Sequence, residues 1–349
     1  MRQSATTGCD GHPVGRGGQE VEALITSPHL HPLPEGEEKN RQNEDRQTPE
    51  GEGTKGDRAP LSAWMLAIRP ATLTAAVVPV IVGTAIAAPN GVAQLGPATA
   101  ALCAALLIQV GTNLANDVGD FERGADSTGR LGPTRVIQAG LLLPEQVRMA
   151  AWIAFGIAGL IGIYLCAVGG WPIVLVGVAA IGSGLAYTGG PWPLGYHGLG
   201  DLFVFIFFGV VAVVGTFYVQ AHATSALALT ASISVGALCT AILVVNNVRD
   251  CDSDRAAGKL TLAVRLGQRA GRAEFAVLVA LAYLTPLGMW LAGQASSWVL
   301  LPWLTLPWAI GLSRCVATCR DGAAFNAALR STARLHAAFG VLFAAGLLA

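Results

Sequence analysis

Charge is scarce in this sequence. Asp, Glu, Lys and Arg make up 13% of its 349 residues against 53% hydrophobic ones, and the mean hydropathy is +0.53. Ordinary soluble domains carry about 25% charged residues, so a surface facing water on all sides is excluded and a bilayer is the solvent that fits. The formal net charge is zero, and no nucleic-acid partner is expected. Cysteine is sparse as well. Cys9, Cys103, Cys166, Cys239, Cys251, Cys315 and Cys319 mostly stand alone in apolar stretches, where a free thiol behaves as a small hydrophobe. They form neither a disulfide framework nor a zinc spacing. Cys315 and Cys319 share a helix face at i,i+4, but two ligands alone do not make a site. Residues 1–60 lack any apolar run long enough for a signal peptide or an anchor. Their Gly, Pro, Glu, Gln and Arg content predicts a disordered tail, or a start upstream of the real one, and His29 and His31 are too few for a metal site.

What the remainder holds is long apolar runs. Stretches near 66–88, 95–118, 147–168, 171–188, 202–220, 224–247, 273–293, 296–313 and 332–349 have the length of a membrane-crossing helix. The expected fold is therefore all-α, an integral membrane bundle of about nine transmembrane helices over residues 61–349. Gly-Gly-Trp-Pro at 169–172 and Ala-His-Ala at 221–223 read as tight turns between antiparallel neighbours. The first sixty residues hold 11 acidic and 7 basic groups, which leaves 15 basic and 11 acidic residues in the core. The loops after the first, third, fifth and seventh spans contain no Lys or Arg. Basic residues mark the cytoplasmic side, so the N-terminus and the even-numbered loops should be cytoplasmic, with the C-terminus outside the inner (plasma) membrane.

Seven of the 11 core acids sit in two short segments. Asp117, Asp120, Glu122 and Asp126 follow the second span, and Asp250, Asp252 and Asp254 follow the sixth. Asn113, Asn116, Asp117 and Asp120 recur at i, i+3, i+4 and i+7 and so line one helix face; Asn246, Asp250 and Asp254 do the same at i, i+4 and i+8, with Asn247 beside them. Carboxylates at membrane depth are expensive and mark function by default. Both faces leave the membrane on the same side and can meet. Such a cluster repels itself unless a cation neutralises it, and hard oxygen ligands of this kind suit Mg²⁺ held jointly with substrate phosphates. Asn116, Asp117, Asp120, Asp126, Asp250 and Asp254 are the expected ligands. The alternative is a solvated loop whose acids pair with Arg123, Arg130, Arg249 and Arg255.

Cations near these acids would complete a diphosphate site. Arg130 and Arg135 lie in the loop after the first cluster, and Arg255 and Lys259 follow the second; Arg135 and Lys259 stand beside Pro or Gly turns and rank highest. The loop from Tyr187 to Asp201, rich in Gly, Pro and aromatics, falls on the same face and reads as a lid or an acceptor-binding loop that offers Tyr187, Tyr196 and His197.

The segments Asn-Leu-Ala-Asn-Asp at 113–117, Gly-Pro-Thr-Arg-Val-Ile-Gln at 132–138, Tyr-Thr-Gly-Gly-Pro-Trp-Pro-Leu-Gly-Tyr at 187–196 and Asn-Asn-Val-Arg-Asp through Thr-Leu-Ala-Val-Arg-Leu-Gly at 246–267 resemble the UbiA superfamily of intramembrane aromatic prenyltransferases, and within it the branch that prenylates 1,4-dihydroxy-2-naphthoate. The resemblance covers residues 61–349. One departure is that Gly124 stands where a third acid is often found, with Asp126 following. The resemblance implies transfer of a chain from polyprenyl diphosphate to an aromatic acid, with catalysis by Asp117, Asp120, Asp250, Asp254, Lys259 and Arg135. It also implies substrate contacts from Asn113, Asn116, Arg123, Arg130, Tyr187, Tyr196, His197, Asn246, Asn247 and Arg255, with membrane lipid around the bundle. Other readings are a superfamily member acting on 4-hydroxybenzoate, a CDP-alcohol phosphotransferase, whose acids would be contiguous, and an ion-coupled transporter, whose acids would lie at the bilayer midplane.

Overall fold

The computed structural model describes residues 61–89, 91–125 and 131–349. The sequence readings for residues 1–60, Asp126 and Arg130 lie outside the described residues. The elements among these residues are helices, with no strand. A short helix, α1 (Leu61–Ile68), and α2 (Thr74–Ala87) flank a turn at Pro70–Thr72; α3 is Leu95–Glu122, α4 Pro144–Gly169, α5 Trp171–Ala186 and α6 Gly200–Ala221. Beyond these come α7 (Ala226–Arg249), the short α8 (Cys251–Ala256) and α9 (Leu262–Leu266), then α10 (Gln268–Leu291), α11 (Ser297–Thr318) and α12 (Gly322–Leu348).

Every one of the nine apolar stretches read from the sequence is helical, but they are not equal. Among the described residues, seven helices are long and apolar enough to cross a membrane individually. The first stretch is broken: Leu61–Thr72 and Thr74–Ala87 meet at 46°. The reason lies at Arg69, which precedes Pro70 and takes a left-handed backbone, φ 56° and ψ 69°. A residue before proline is pushed out of the helical region, and a left-handed turn there ends α1. The fourth stretch forms only a 16-residue helix. The two tight turns are as expected, since Gly170 alone joins α4 to α5 at φ 75° and His222 caps α6 at φ 53°.

α7 is the central post. Its small residues Ala228, Ala231, Ser232, Gly236, Ala237 and Ala241 let neighbouring backbones approach closely, the usual means of helix association in lipid. At its crossing with α6, a Cβ on Gly209 would meet the Cα of Gly236 at 2.7 Å. The main core joins α2, α6, α7, α10, α11 and α12 around Phe275, Phe339, Phe343, Leu238 and Met289; a second packs α1, α3 and α4 with Val136 and Ile137. Large apolar side chains also point outward, Trp152, Ile153, Leu160 and Ile163 on α4 among them. A soluble protein rarely shows so continuous an apolar face, whereas a helix in contact with lipid requires one.

Candidate active site

The last turns of α3 put Asn113, Asp117 and Asp120 on one buried face, as the i, i+4, i+7 spacing dictates. Arg135, itself buried, reaches across from the following loop: it pairs with Asp117 and donates from Nη2 to Asp120 Oδ2 at 2.8 Å. Asp117 also pairs with Arg69. The second acid segment arrives at the same place. Lys259 Nζ stands 3.8 Å from Asp120 Oδ1, which also accepts from the Tyr196 hydroxyl at 3.1 Å. The Lys259 ammonium and the Arg123 guanidinium both lie 5.4 Å from the centre of the Tyr196 ring. Tyr187, at the end of α5, accepts through its carbonyl from the Gly195 amide at 2.9 Å and so ties the aromatic loop to that helix.

Around this centre several of the expected residues serve as supports. Asn113 donates to the Ile68 carbonyl at 2.9 Å and to Thr72 Oγ1 at 3.0 Å, which fastens the broken first span to α3. Asn116 accepts from Thr188 Oγ1 at 3.0 Å, and Arg123 donates to the Thr188 carbonyl at 2.8 Å and to that of Gly190, so both hold the aromatic loop against α3. Asp250 receives both Nε and Nη2 of Arg249 at 2.7 Å, and Arg249 Nη2 also donates to Asn246 Oδ1. Asn247 donates to the buried Asp201 at 3.2 Å. Asp254 is half-buried and turns the chain, its carbonyl accepting from the Lys259 amide at 2.8 Å. His197 stacks on Trp192 at 4.3 Å and bonds the Pro193 carbonyl through Nδ1 at 2.8 Å. Arg255 is exposed and contacts Asp252 at 3.4 Å.

Among the described residues no three His, Cys, Asp or Glu side chains close around one point. The acids instead sit among basic groups: Asp117 pairs with Arg69 and Arg135, Asp120 with Arg135 and Lys259, and Asp250 with Arg249. A diphosphate entering this cluster brings further negative charge. Added divalent cations would offset it, and the donors present are hard carboxylate oxygens. The residues therefore fit Mg²⁺.

A family model described as the UbiA prenyltransferase family matches residues 76–343. The chain belongs to the UbiA family. A 1,4-dihydroxy-2-naphthoate octaprenyltransferase from Bacillus subtilis is 34% identical over 82% of this chain and 91% of that protein. One of the same description from Mycobacterium tuberculosis is 36% identical over 78% and 92%, and one from Escherichia coli 39% identical over 62% and 72%. Among solved structures, a UbiA homologue from Archaeoglobus fulgidus bound to DMAPP and Mg²⁺ superposes with a TM-score of 0.57 at 14% identity over 80% of this chain and 98% of that one, a likeness of fold. UbiA membership and the apolar helices make this an integral membrane protein and an enzyme of prenyl transfer.

This UbiA bundle holds an apolar cavity of about 820 Å³ between α2, α3, α4, α5 and α6. Gln109, Thr112 and Tyr187 line it toward the acids, and Ile163, Val174 and Val178 line it where they also form the outer surface. The cavity thus reaches the lipid-facing side. Sequence reasoning missed Arg69 as a partner of Asp117, and the Arg-Pro pair inside the first apolar stretch was the available signal. It also missed Asp201, whose burial next to Asn247 no local spacing announces.

Proposed function

We propose that this protein transfers a polyprenyl chain from polyprenyl diphosphate to 1,4-dihydroxy-2-naphthoate, releasing diphosphate and carbon dioxide and giving demethylmenaquinol, the reduced form of a demethylmenaquinone. The observation that carries the reading is Asp120, where Arg135 and Tyr196 from two different loops and Lys259 from the second acid segment converge on one carboxylate. The relatives described as naphthoate octaprenyltransferases support the acceptor.

Asp117, Asp120, Asp250 and Asp254, with Asn116 and Asp126, would hold Mg²⁺, which when bound supplies the positive charge that neutralises the leaving diphosphate. Arg135 and Lys259 donate to the phosphate oxygens, and Arg130 and Arg255 are proposed as further substrate contacts. The C–O bond of the allylic diphosphate breaks and leaves an allylic cation, which the apolar cavity shields from water. The prenyl chain lies along that cavity toward lipid. The electron-rich ring forms its new C–C bond at the carbon bearing the carboxylate, and carbon dioxide leaves from that carbon in place of a proton. No base is then required there. Tyr187, Tyr196, His197 and Arg135 orient the acceptor's carboxylate and hydroxyls. Residues 61–349 form the catalytic domain, residues 1–60 are dispensable, and the acid clusters face the cytoplasm from the inner membrane, the side marked by Lys and Arg.

The experiment incubates membranes containing the protein with Mg²⁺, a polyprenyl diphosphate and either 1,4-dihydroxy-2-naphthoate or 4-hydroxybenzoate, and identifies the lipid product by mass. A prenylated, decarboxylated naphthalene product is expected. Prenylation of hydroxybenzoate alone would overturn the acceptor, and absence of any prenylated product would overturn the reaction.

A further inference from the structure

Asn326 lies on the second turn of α12, outside both acid segments, and none of the chemistry above uses it. Its Oδ1 accepts from Arg249 Nη1 at 2.8 Å, and its Nδ2 donates to the Leu131 carbonyl at 3.0 Å. The amide can face only one way, because a guanidinium cannot accept and a carbonyl cannot donate. Each partner leads to the site. Arg249 is buried and holds both oxygens of Asp250 at 2.7 Å, so its Nη1 bond to Asn326 completes the set of contacts that fixes its plane. Leu131 lies four residues before Arg135 in the loop whose guanidinium pairs with Asp117 and Asp120. The start of α12 seats that loop closely: a Cβ on Gly322 would meet the Leu131 Cβ at 2.9 Å.

We propose that Asn326 is a positioning residue for the diphosphate site, a single amide that sets the basic loop carrying Arg135 in register with the Arg249–Asp250 pair. The proposal rests on the functional reading above. It predicts that losing the amide blurs the spacing between the two acid segments and weakens the grip on diphosphate, while the aromatic loop on α3 is untouched. Asn326→Leu removes both bonds. Asn326→Asp keeps an acceptor for Arg249 and lacks the donor to Leu131.

The test uses full-length wild type, Asn326→Leu and Asn326→Asp purified in detergent. One readout is the rise in unfolding temperature on titrating inorganic pyrophosphate with Mg²⁺; the other is the separate KM values for polyprenyl diphosphate and acceptor. Asn326→Leu should need at least about tenfold more pyrophosphate for half its stabilisation and show a similar rise in diphosphate KM. The acceptor KM should stay within about twofold, with Asn326→Asp between wild type and Asn326→Leu. Pyrophosphate titrations of both variants within about twofold of wild type would overturn the proposal, as would equal rises in both KM values. If Asn326→Leu yields no folded protein, Asn326→Asp decides by the same criteria. Wild type that neither transfers a prenyl group nor responds to pyrophosphate would instead bring down the functional reading and this inference with it.

Discussion

Replacing Lys259 with Met removes one positive charge from between the two acid segments and keeps the length of the side chain. The ammonium is 3.8 Å from Asp120 Oδ1, where the Coulomb attraction is about 4 kcal/mol at an effective dielectric of about 20. Desolvating the two charges offsets most of that. Asp120 is not stranded in the variant, because Arg135 still donates at 2.8 Å and Tyr196 at 3.1 Å. The fold should therefore lose only about 1 kcal/mol, what desolvation leaves of the attraction together with a cation–π contact. The reaction should lose more. A charge-assisted hydrogen bond to the leaving diphosphate contributes about 1.5–3 kcal/mol, and at about 1.4 kcal/mol per tenfold kcat/KM should fall about 10- to 150-fold. Lys259→Arg keeps the charge and should recover most of it. The assay is prenyl transfer at varied diphosphate concentration, with the unfolding temperature measured alongside. A kcat/KM for Lys259→Met within about threefold of wild type, in protein of unchanged stability, would refute a role for Lys259 at the diphosphate.

Asp117→Ala, Asp120→Ala, Asp250→Ala and Asp254→Ala should each nearly abolish turnover at normal membrane abundance, and more than about a tenth of wild-type activity, a deficit of only about 1.4 kcal/mol, would remove that residue from the set of metal ligands. Chelation with EDTA should stop the reaction and Mg²⁺ restore it; full turnover in a thoroughly chelated preparation would end the metal-dependent account. Deleting residues 2–60 should leave insertion and catalysis intact, because their composition has little apolar surface to bury. Loss of activity at equal abundance would give that segment a role.

Helix faces were legible in the sequence because they depend on local spacing alone. Asn113, Asp117 and Asp120 fall on one face of α3 for any regular helix, and so did the meeting of the two segments once the tight turns at Gly170 and His222 set the alternation of the spans. The break in the first span was less visible, since its apolar run continues across the Arg69–Pro70 bend. Partners distant in sequence were not legible. The resemblance implies a substrate contact for Asn113, and nothing in the local spacing announces that its amide is bound to the Ile68 carbonyl, 45 residues away. Asn326 carries no local sign of its role either, yet it accepts from Arg249, 77 residues away, at 2.8 Å. Such pairings depend on how whole helices dock, which no local periodicity encodes.

The proposed reaction forms its new bond at one carbon, the one bearing the acceptor's carboxylate. Acceptor labelled in that carboxyl group can be followed through a single incubation with polyprenyl diphosphate and Mg²⁺. The label should leave as carbon dioxide in a one-to-one ratio with prenylated product. A prenylated product that keeps its labelled carboxylate would rule out bond formation at that carbon.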